Sequence, residues 1–254
     1  LHSDCHPVQA TQLMAWNKTW PISSSLTNPN PDRKPRSVAI WSGAGSMTES
    51  MEIELVKHIF QEKGASVDVY EHAECSADDF IKVYQDEKYD VLWVISHGEF
   101  DHWYPKDIKL QIAQDGTTAS LADIWGKSPS TDQRRLLVLN VCDGARVEES
   151  GFLRKIGLAG GVAGPEQATI SHLWPVMGFP SATFGVYLAR FLADGRPFFE
   201  SYQEALRAMR KKTSLISDEF SEYYGDDFDL IQRLKNQDED YSLLQIFGSA
   251  AFYQ

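Results

Sequence analysis

The sequence predicts an α/β fold, a three-layer α/β/α sandwich on a mostly parallel sheet of about six strands with a small hairpin attached. Two runs carry the prediction, Asp90-Val91-Leu92-Trp93-Val94-Ile95-Ser96-His97-Gly98 and Arg135-Leu136-Leu137-Val138-Leu139-Asn140-Val141-Cys142-Asp143-Gly144. Each is too short for a surface helix and too continuously apolar for a half-exposed strand, the pattern of a parallel strand covered on both faces. The third observation is the alternation of strand and helix patterns from Ser37 onward, the rhythm of βαβ units. Parallel strands end along one rim of an open sheet, where ligands bind. A thiol and an imidazole, each beside a glycine, can therefore meet there.

Residues 1–36 read as a linker or the tail of an upstream domain. They hold Pro7, Pro21, Pro29, Pro31 and Pro35 with Ser23-Ser24-Ser25, a composition that breaks helices, around a helical remnant at Thr11 to Trp16. With Leu1 at the start, this stretch reads as part of a longer chain. Residues 37–254 read as one domain. Its first strand, Val38 to Ser42, leads through Gly43-Ala44-Gly45 into a helix from Thr48, its expected cap, to Glu62, with Ile53, Val56, Ile59 and Phe60 as the apolar stripe. Strand Ser66 to Tyr70 and helix Ala77 to Gln85 follow. The Val38 strand is expected between those of Val67 and Val91. Ile108 to Ile112 and Thr117 to Leu121 flank Asp115-Gly116 as a hairpin overhanging the rim. Beyond the glycine-rich Gly157 to Gly164 come strand Ala168 to Trp174, helices Ser181 to Ala193 and Phe199 to Lys212, and a final strand Leu243 to Phe252. The acidic Ser217 to Asp240 is expected to be mobile, a dispensable excursion with little to bury.

A chain of 254 residues with 43% hydrophobic content can bury one sizeable core, and no stretch is long enough to cross a membrane. The net charge of −12 disfavours direct binding of nucleic acid or anionic lipid, which are held by surplus Lys and Arg. Cys5, Cys75 and Cys142 form no CxxC pair, so a reducing, cytoplasmic setting is expected, without disulfide framework or metal.

Cys142 and His97 offer the sharpest chemistry. A free thiol ionises at about 8.5, and an adjacent base converts it to a nucleophile near neutrality. Histidine can take that proton and return it to a leaving amine. The backbone N–H groups of Gly98 and Cys142 could hold an oxyanion. The plainer reading is a buried structural cysteine. Two other motifs are weaker. Gly43-Ala44-Gly45 is a partial dinucleotide loop with Thr48 where a third glycine belongs, with Asp68 as the ribose acid, and serves equally as a tight turn. His97, Glu99, Asp101 and His102 match no metal-ligand spacing, and no cofactor is expected.

Taken together, Ser96-His97-Gly98, Asn140-Val141-Cys142-Asp143-Gly144 and Thr169-Ile170-Ser171-His172-Leu173-Trp174-Pro175-Val176, followed by the helices from Ala182 and Glu204, resemble the CHAT domain. The similarity runs from about Ser37 to the C-terminus and is more specific as a set than in any piece. The resemblance implies a caspase-like fold and the clan of caspases, separases, metacaspases, legumains and gingipains, cysteine endopeptidases with a His-Gly and a Cys at neighbouring strand ends. His97 would be general base and Cys142 nucleophile. It further implies an upstream sensor or repeat domain and a protein substrate cut on activation, as in bacterial defence with gasdermin-like or CRISPR-associated substrates. The acidic insertion and the histidine-rich loop depart from the pattern. A catalytically silent caspase-like module that binds a partner is the rival reading, and a nucleotide-binding α/β protein a distant third.

In this clan the pocket for the residue before the scissile bond is walled by the ends of three strands. Carried over, its walls are Ser42 and Gly43, Asn140 with Asp143, and Ser171, His172, Leu173 and Trp174. The position two before the cysteine is Asp in metacaspases, which cut after Lys or Arg, and Gln in caspases, which cut after Asp. Here it is the neutral Asn140, and the walls bring no Lys or Arg. An uncharged side chain of moderate size is therefore expected, packed on Leu173 and Trp174 with Asn140 bonded to the substrate backbone. A basic residue comes second, if Asp143, Glu99 or Asp101 turns inward.

Overall fold

The computed structural model describes residues 32, 34–71, 76–99, 109–113, 115–129, 134–145, 149–150, 153–154 and 158–253. Strand β1 (Ser37–Ser42) leads to helix α1 (Met47–Glu62), β2 (Ser66–Tyr70), α2 (Ala77–Gln85) and β3 (Val91–Ile95). A three-stranded antiparallel flap follows, β4 (Gly98–Glu99), β5 (Lys109–Gln111) and β6 (Thr118–Ser120), then a helical turn α3 (Leu121–Ile124). Strand β7 (Arg135–Asn140) precedes a short pair β8 (Glu149–Ser150) and β9 (Leu153–Arg154), a short helix α4 (Leu158–Val162) and β10 (Gln167–His172). The chain finishes with α5 (Gly178–Ala193), α6 (Phe198–Ala208), α7 (Thr213–Tyr224), α8 (Asp229–Lys235), α9 (Leu244–Phe247) and β11 (Ala250–Tyr253).

The main sheet has the order β11-β10-β7-β3-β1-β2. Its strands are parallel except β11, which runs antiparallel to β10. The β1 strand lies between β2 and β3, as the crossovers demand. Side chains alternate faces, so each strand feeds two cores. Val38, Ile40, Trp93, Ile95 and Val138 pack with α1, α5, α6, α7 and α8; Ala39, Trp41, Leu92, Val94 and Leu139 pack with α2, α4 and the flap. This is the three-layer sandwich. Among the described residues, no helix is long and apolar enough to cross a membrane.

Several boundaries differ from expectation for local reasons. Helix α1 is capped by Ser46, not Thr48: Ser46 is extended and its Oγ accepts from Glu49 N at 3.3 Å. The Glu49 carboxylate reaches back to Ala44 N and Gly45 N at 3.2 and 2.9 Å, satisfying N–H groups ahead of the helix. Helix α5 begins at Gly178 because Pro180 sits in the first turn, where no intrahelical N–H is needed. The C-terminal segment is strand only over Ala250–Tyr253, while Leu244–Phe247 coils so that Phe247 enters the core. Ahead of β1, Asp32 Oδ2 accepts from Phe198 N at 2.9 Å, which caps the start of α6.

The largest correction concerns Ser217 to Asp240, which is structural rather than dispensable. Ile216 and Phe220 of α7, Leu230, Ile231 and Leu234 of α8, and Tyr241 are all fully buried in the main core. The acidic residues mask an apolar set at helical spacing. Glu219 fastens α7 to α5 and to the segment after α6, accepting from Tyr187 Oη and Arg190 Nη1 at 2.8 Å each and from Lys211 Nζ. Leu230→Ala should lower the urea-unfolding free energy by about 2–5 kcal/mol, as for a fully buried leucine. Deleting residues 226–240 should leave no soluble, cooperatively unfolding protein, and a well-behaved deletion would show that α8 only decorates the surface.

Candidate active site

The parallel register of β3 and β7 pairs Ile95 with Asn140. His97 and Cys142 each stand two residues past these ends, on neighbouring strands whose chains run about 4.8 Å apart. The approach is closed by Gly98, where a Cβ would collide with the Cys142 carbonyl oxygen. Only glycine lets the chain after the histidine lie against the backbone of the cysteine. The flap then pins this segment: Gln111 N donates to His97 O at 3.0 Å, Ser96 Oγ donates to Gln111 O at 2.5 Å, and Gly98 pairs with Leu110. The His97 side chain is exposed.

Cys142 opens a tight turn in which Asp143 adopts a positive φ of 56°. The turn is fastened to β10 by Ala145 N, which donates to His172 O at 2.8 Å, and a Cβ on Gly144 would collide with Ser171 Oγ. The thiol is half-buried and its Sγ donates to Val176 O at 3.6 Å, just before α5. The imidazole and the thiol thus share one rim, with the thiol proton directed at a carbonyl.

The residues expected to wall the pocket all fall on this rim, but several spend their polar atoms inside the protein. Ser42 Oγ donates to Glu49 Oε2 at 2.8 Å, Gly43 N donates to Ile95 O at 2.9 Å, and Ser171 Oγ donates to Leu139 O at 2.9 Å. Asn140 and His172 are 5% and 2% exposed and bond to each other. Leu173 and Trp174 are half-buried, with Trp174 Nε1 donating to Gln245 O at 2.9 Å. Asp143 is half-buried, Glu99 lies in β4, and Asp101 and His102 fall outside the described residues.

Two features at the rim escaped sequence reading. Met47 and Met177 are 53% and 61% exposed, and their helix starts touch: a Cβ on Gly178 would sit 2.7 Å from Thr48 Oγ1. The second is Glu52, buried beneath Asn140. Its signal was present, since Glu52 stands at helical spacing with Leu55, Val56 and Ile59, a carboxyl group in an apolar stripe. Burial pushes Glu52 up to about 8, against the pull of N–H groups from Trp93 and Asn140, and burial pushes His172 down to about 4.

An open, mostly parallel sheet that carries histidine and cysteine at neighbouring strand ends defines a protease-type α/β domain. The CHAT domain family model matches residues 25–233, well over half of the chain, and the chain belongs to that family. Solved structures similar to it include caspase-1 from Spodoptera frugiperda, at 14% identity over 71% of this chain and 79% of that one with a TM-score of 0.46. Another is pro-sf-caspase-1, at 11% identity over 89% of each chain with a TM-score of 0.44. No curated protein matches the chain.

Two outcomes follow from this geometry. Gly98→Ala should cost about 1–3 kcal/mol by urea denaturation as the strand ends are forced apart, whereas Gly164→Ala, where a Cβ meets nothing, should be nearly neutral. Glu52 binds its proton more tightly in the folded chain, at about 8, than in the unfolded chain, at about 4.3. Between those values the folded state holds a proton that the unfolded state has released, so stability falls as pH rises through the window. Glu52→Gln should therefore flatten the decline in unfolding free energy between pH 5 and 8; an unchanged slope would place the responsible acid elsewhere.

Proposed function

We propose that this domain is a cysteine endopeptidase in which Cys142 attacks a peptide carbonyl and His97 moves the proton. The observation that supports this most is the β3–β7 pairing, which puts His97 and Cys142 two residues past the ends of neighbouring buried strands, with Gly98 seated against the Cys142 carbonyl. In the resting arrangement the thiol proton points to Val176 O. Reaction starts when Sγ turns to the imidazole and transfers the proton. The thiolate then bonds to the carbonyl carbon, and the oxyanion is met by the N–H groups of Gly98 and Cys142. Collapse breaks the C–N bond as the imidazolium protonates the departing amine, and water drawn through His97 hydrolyses the thioester.

For the residue before the cleaved bond we infer an uncharged side chain of moderate size. The amide of Asn140 is held by the protein, so the substrate meets apolar surface, half-buried Leu173 and Trp174 together with exposed Met47 and Met177. An aspartate seated there would be desolvated without a partner, at a cost of several kcal/mol. We further infer, from the family, that the domain acts on a protein partner in the cytoplasm under control of an upstream sensor or repeat domain, in bacterial defence or signalling. A gasdermin-like or CRISPR-associated protein is the kind of substrate meant. The exposed imidazole and the thiol resting on Val176 O favour, as a second reading, a silent module that only binds its partner.

The two readings separate on labelling by a peptidyl acyloxymethyl ketone, which should modify Cys142 in the enzyme and leave a silent module unlabelled. Cys142→Ala and His97→Ala should each abolish cleavage while leaving the melting temperature nearly unchanged; wild-type turnover in His97→Ala would remove it from the mechanism. In a peptide library, cutting should concentrate after uncharged residues. Efficient cutting after Asp would overturn the pocket assignment.

A further inference from the structure

Beneath the candidate dyad runs a buried chain of hydrogen bonds that the proposed chemistry does not use. Glu52, 2% exposed on α1, accepts from Trp93 Nε1 at 2.9 Å through Oε1, and both its oxygens accept from Asn140 Nδ2 at 2.7 Å. That contact decides which way the Asn140 amide faces. Its nitrogen turns to Glu52 and to Ser181 O at 3.2 Å, and its oxygen turns away, accepting from Ser181 Oγ at 2.5 Å and from His172 Nε2 at 2.6 Å. With Nε2 the donor, the neutral imidazole of His172 leaves Nδ1 an acceptor facing the Ser249 hydroxyl at 2.9 Å, a hydroxyl that also reaches Ile246 O at 3.2 Å. The acid at one end thereby sets the tautomer at the other. Space for the carboxyl group depends on Gly185, where a Cβ would collide with Glu52 Oε1.

These bonds close a ring through the thiol. Asn140 lies two residues before Cys142 and grips Ser181 by both hydroxyl and carbonyl. Ser181 N donates to Met177 O at 3.1 Å, and the neighbouring Val176 supplies the carbonyl that accepts from Sγ. The spacing between the thiol and the 176–177 segment therefore follows from how the Asn140 amide is held.

We propose that Glu52 and His172 are positioning residues for the reaction at Cys142. By fixing Asn140 from both sides they hold the Val176 and Met177 wall, on which the substrate's acyl portion lies, at a set distance from Sγ. This rests on the reading of Cys142 as nucleophile. Misplacement of a reacting group by an ångström slows reaction about a hundredfold, so a modest slackening of the ring is enough to be measured.

Glu52→Gln keeps the shape but sets an NH2 group against the Asn140 NH2, so one of the two amides must turn. The probe is a leucyl acyloxymethyl ketone, with labelling of Cys142 followed by mass spectrometry, and iodoacetamide serves as a small control that touches the thiol alone. Glu52→Gln should lower the maximal labelling rate by about ten- to a hundredfold, with half-saturation and iodoacetamide alkylation close to wild type. Ser249→Ala, which removes only the last hydroxyl of the chain, should lower the same rate by a smaller factor and decides the matter if Glu52→Gln does not fold. Wild-type labelling rates in the folded variants overturn the positioning role, as does an equal fall in iodoacetamide alkylation, which would place the effect on the thiol itself. Failure of the wild-type protein to label at Cys142 would instead overturn the nucleophile assignment on which the role depends.

Discussion

Side chains change face at every residue of a strand, so the register that pairs Ile95 with Asn140 settles several things at once. It puts His97 and Cys142 past the ends of neighbouring strands, turns Asn140 toward α1 and α5, and leaves Leu139 and Val94 for the opposite core. A slip of one residue would exchange the two faces and shift His97 relative to Cys142. The strand that carries the cysteine is held against such a slip at both ends. At its start, buried Arg135 donates to Gln167 Oε1 and Tyr84 O at 2.6 Å each and stacks on the Tyr84 ring. At its end, Asn140 bonds to Glu52, Ser181 and His172. The residues between, Leu136 to Leu139, are apolar and would tolerate either face. Buried polar groups cost free energy unless they are bonded, so the two polar ends specify a register that the apolar middle leaves open.

The sheet was legible in the sequence because its central strands are buried on both faces and so are written as unbroken apolar runs. That His97 and Cys142 follow buried strands was legible for the same reason, since both residues sit just past the end of such a run. Where polarity and burial part company, reading failed. The segment from Ser217 to Asp240 is acidic on average, yet Phe220, Leu230, Ile231 and Leu234 are fully buried. An average over the segment hides a stripe of one face. Helix α5 begins at Gly178, ahead of the expected Ser181, because its first turn accommodates Pro180.

The strand ends that carry the candidate residues were legible, and the surroundings of those residues were not. Ser42, Asn140, Ser171 and His172 lie at strand ends as the alternation implied, but a sequence does not say whether a polar side chain faces out to a ligand or inward to a partner. Here the partners come from α1, β7, the turn ahead of β11 and the first turn of α5; apart from Glu49, which lies close to Ser42 in the chain, their meeting depends on the β7–β10 pairing and on α1 packing beside α5. Glu52 shows the converse: its spacing with Leu55, Val56 and Ile59 declared it buried, while nothing in the sequence named Asn140 as its partner.

The contact between Gly98 and the Cys142 carbonyl bears on how kindred sequences are to be read. A chain can keep both its histidine and its cysteine and still be unable to bring them together, because any side chain at the position after the histidine wedges the two strand ends apart. The presence of the two reactive residues is thus a weaker signature of a working site than the presence of the residue that carries no chemistry at all. Under the proposed chemistry, loss of that glycine would leave the histidine and the cysteine in place without the close backbone approach that now joins their strand ends.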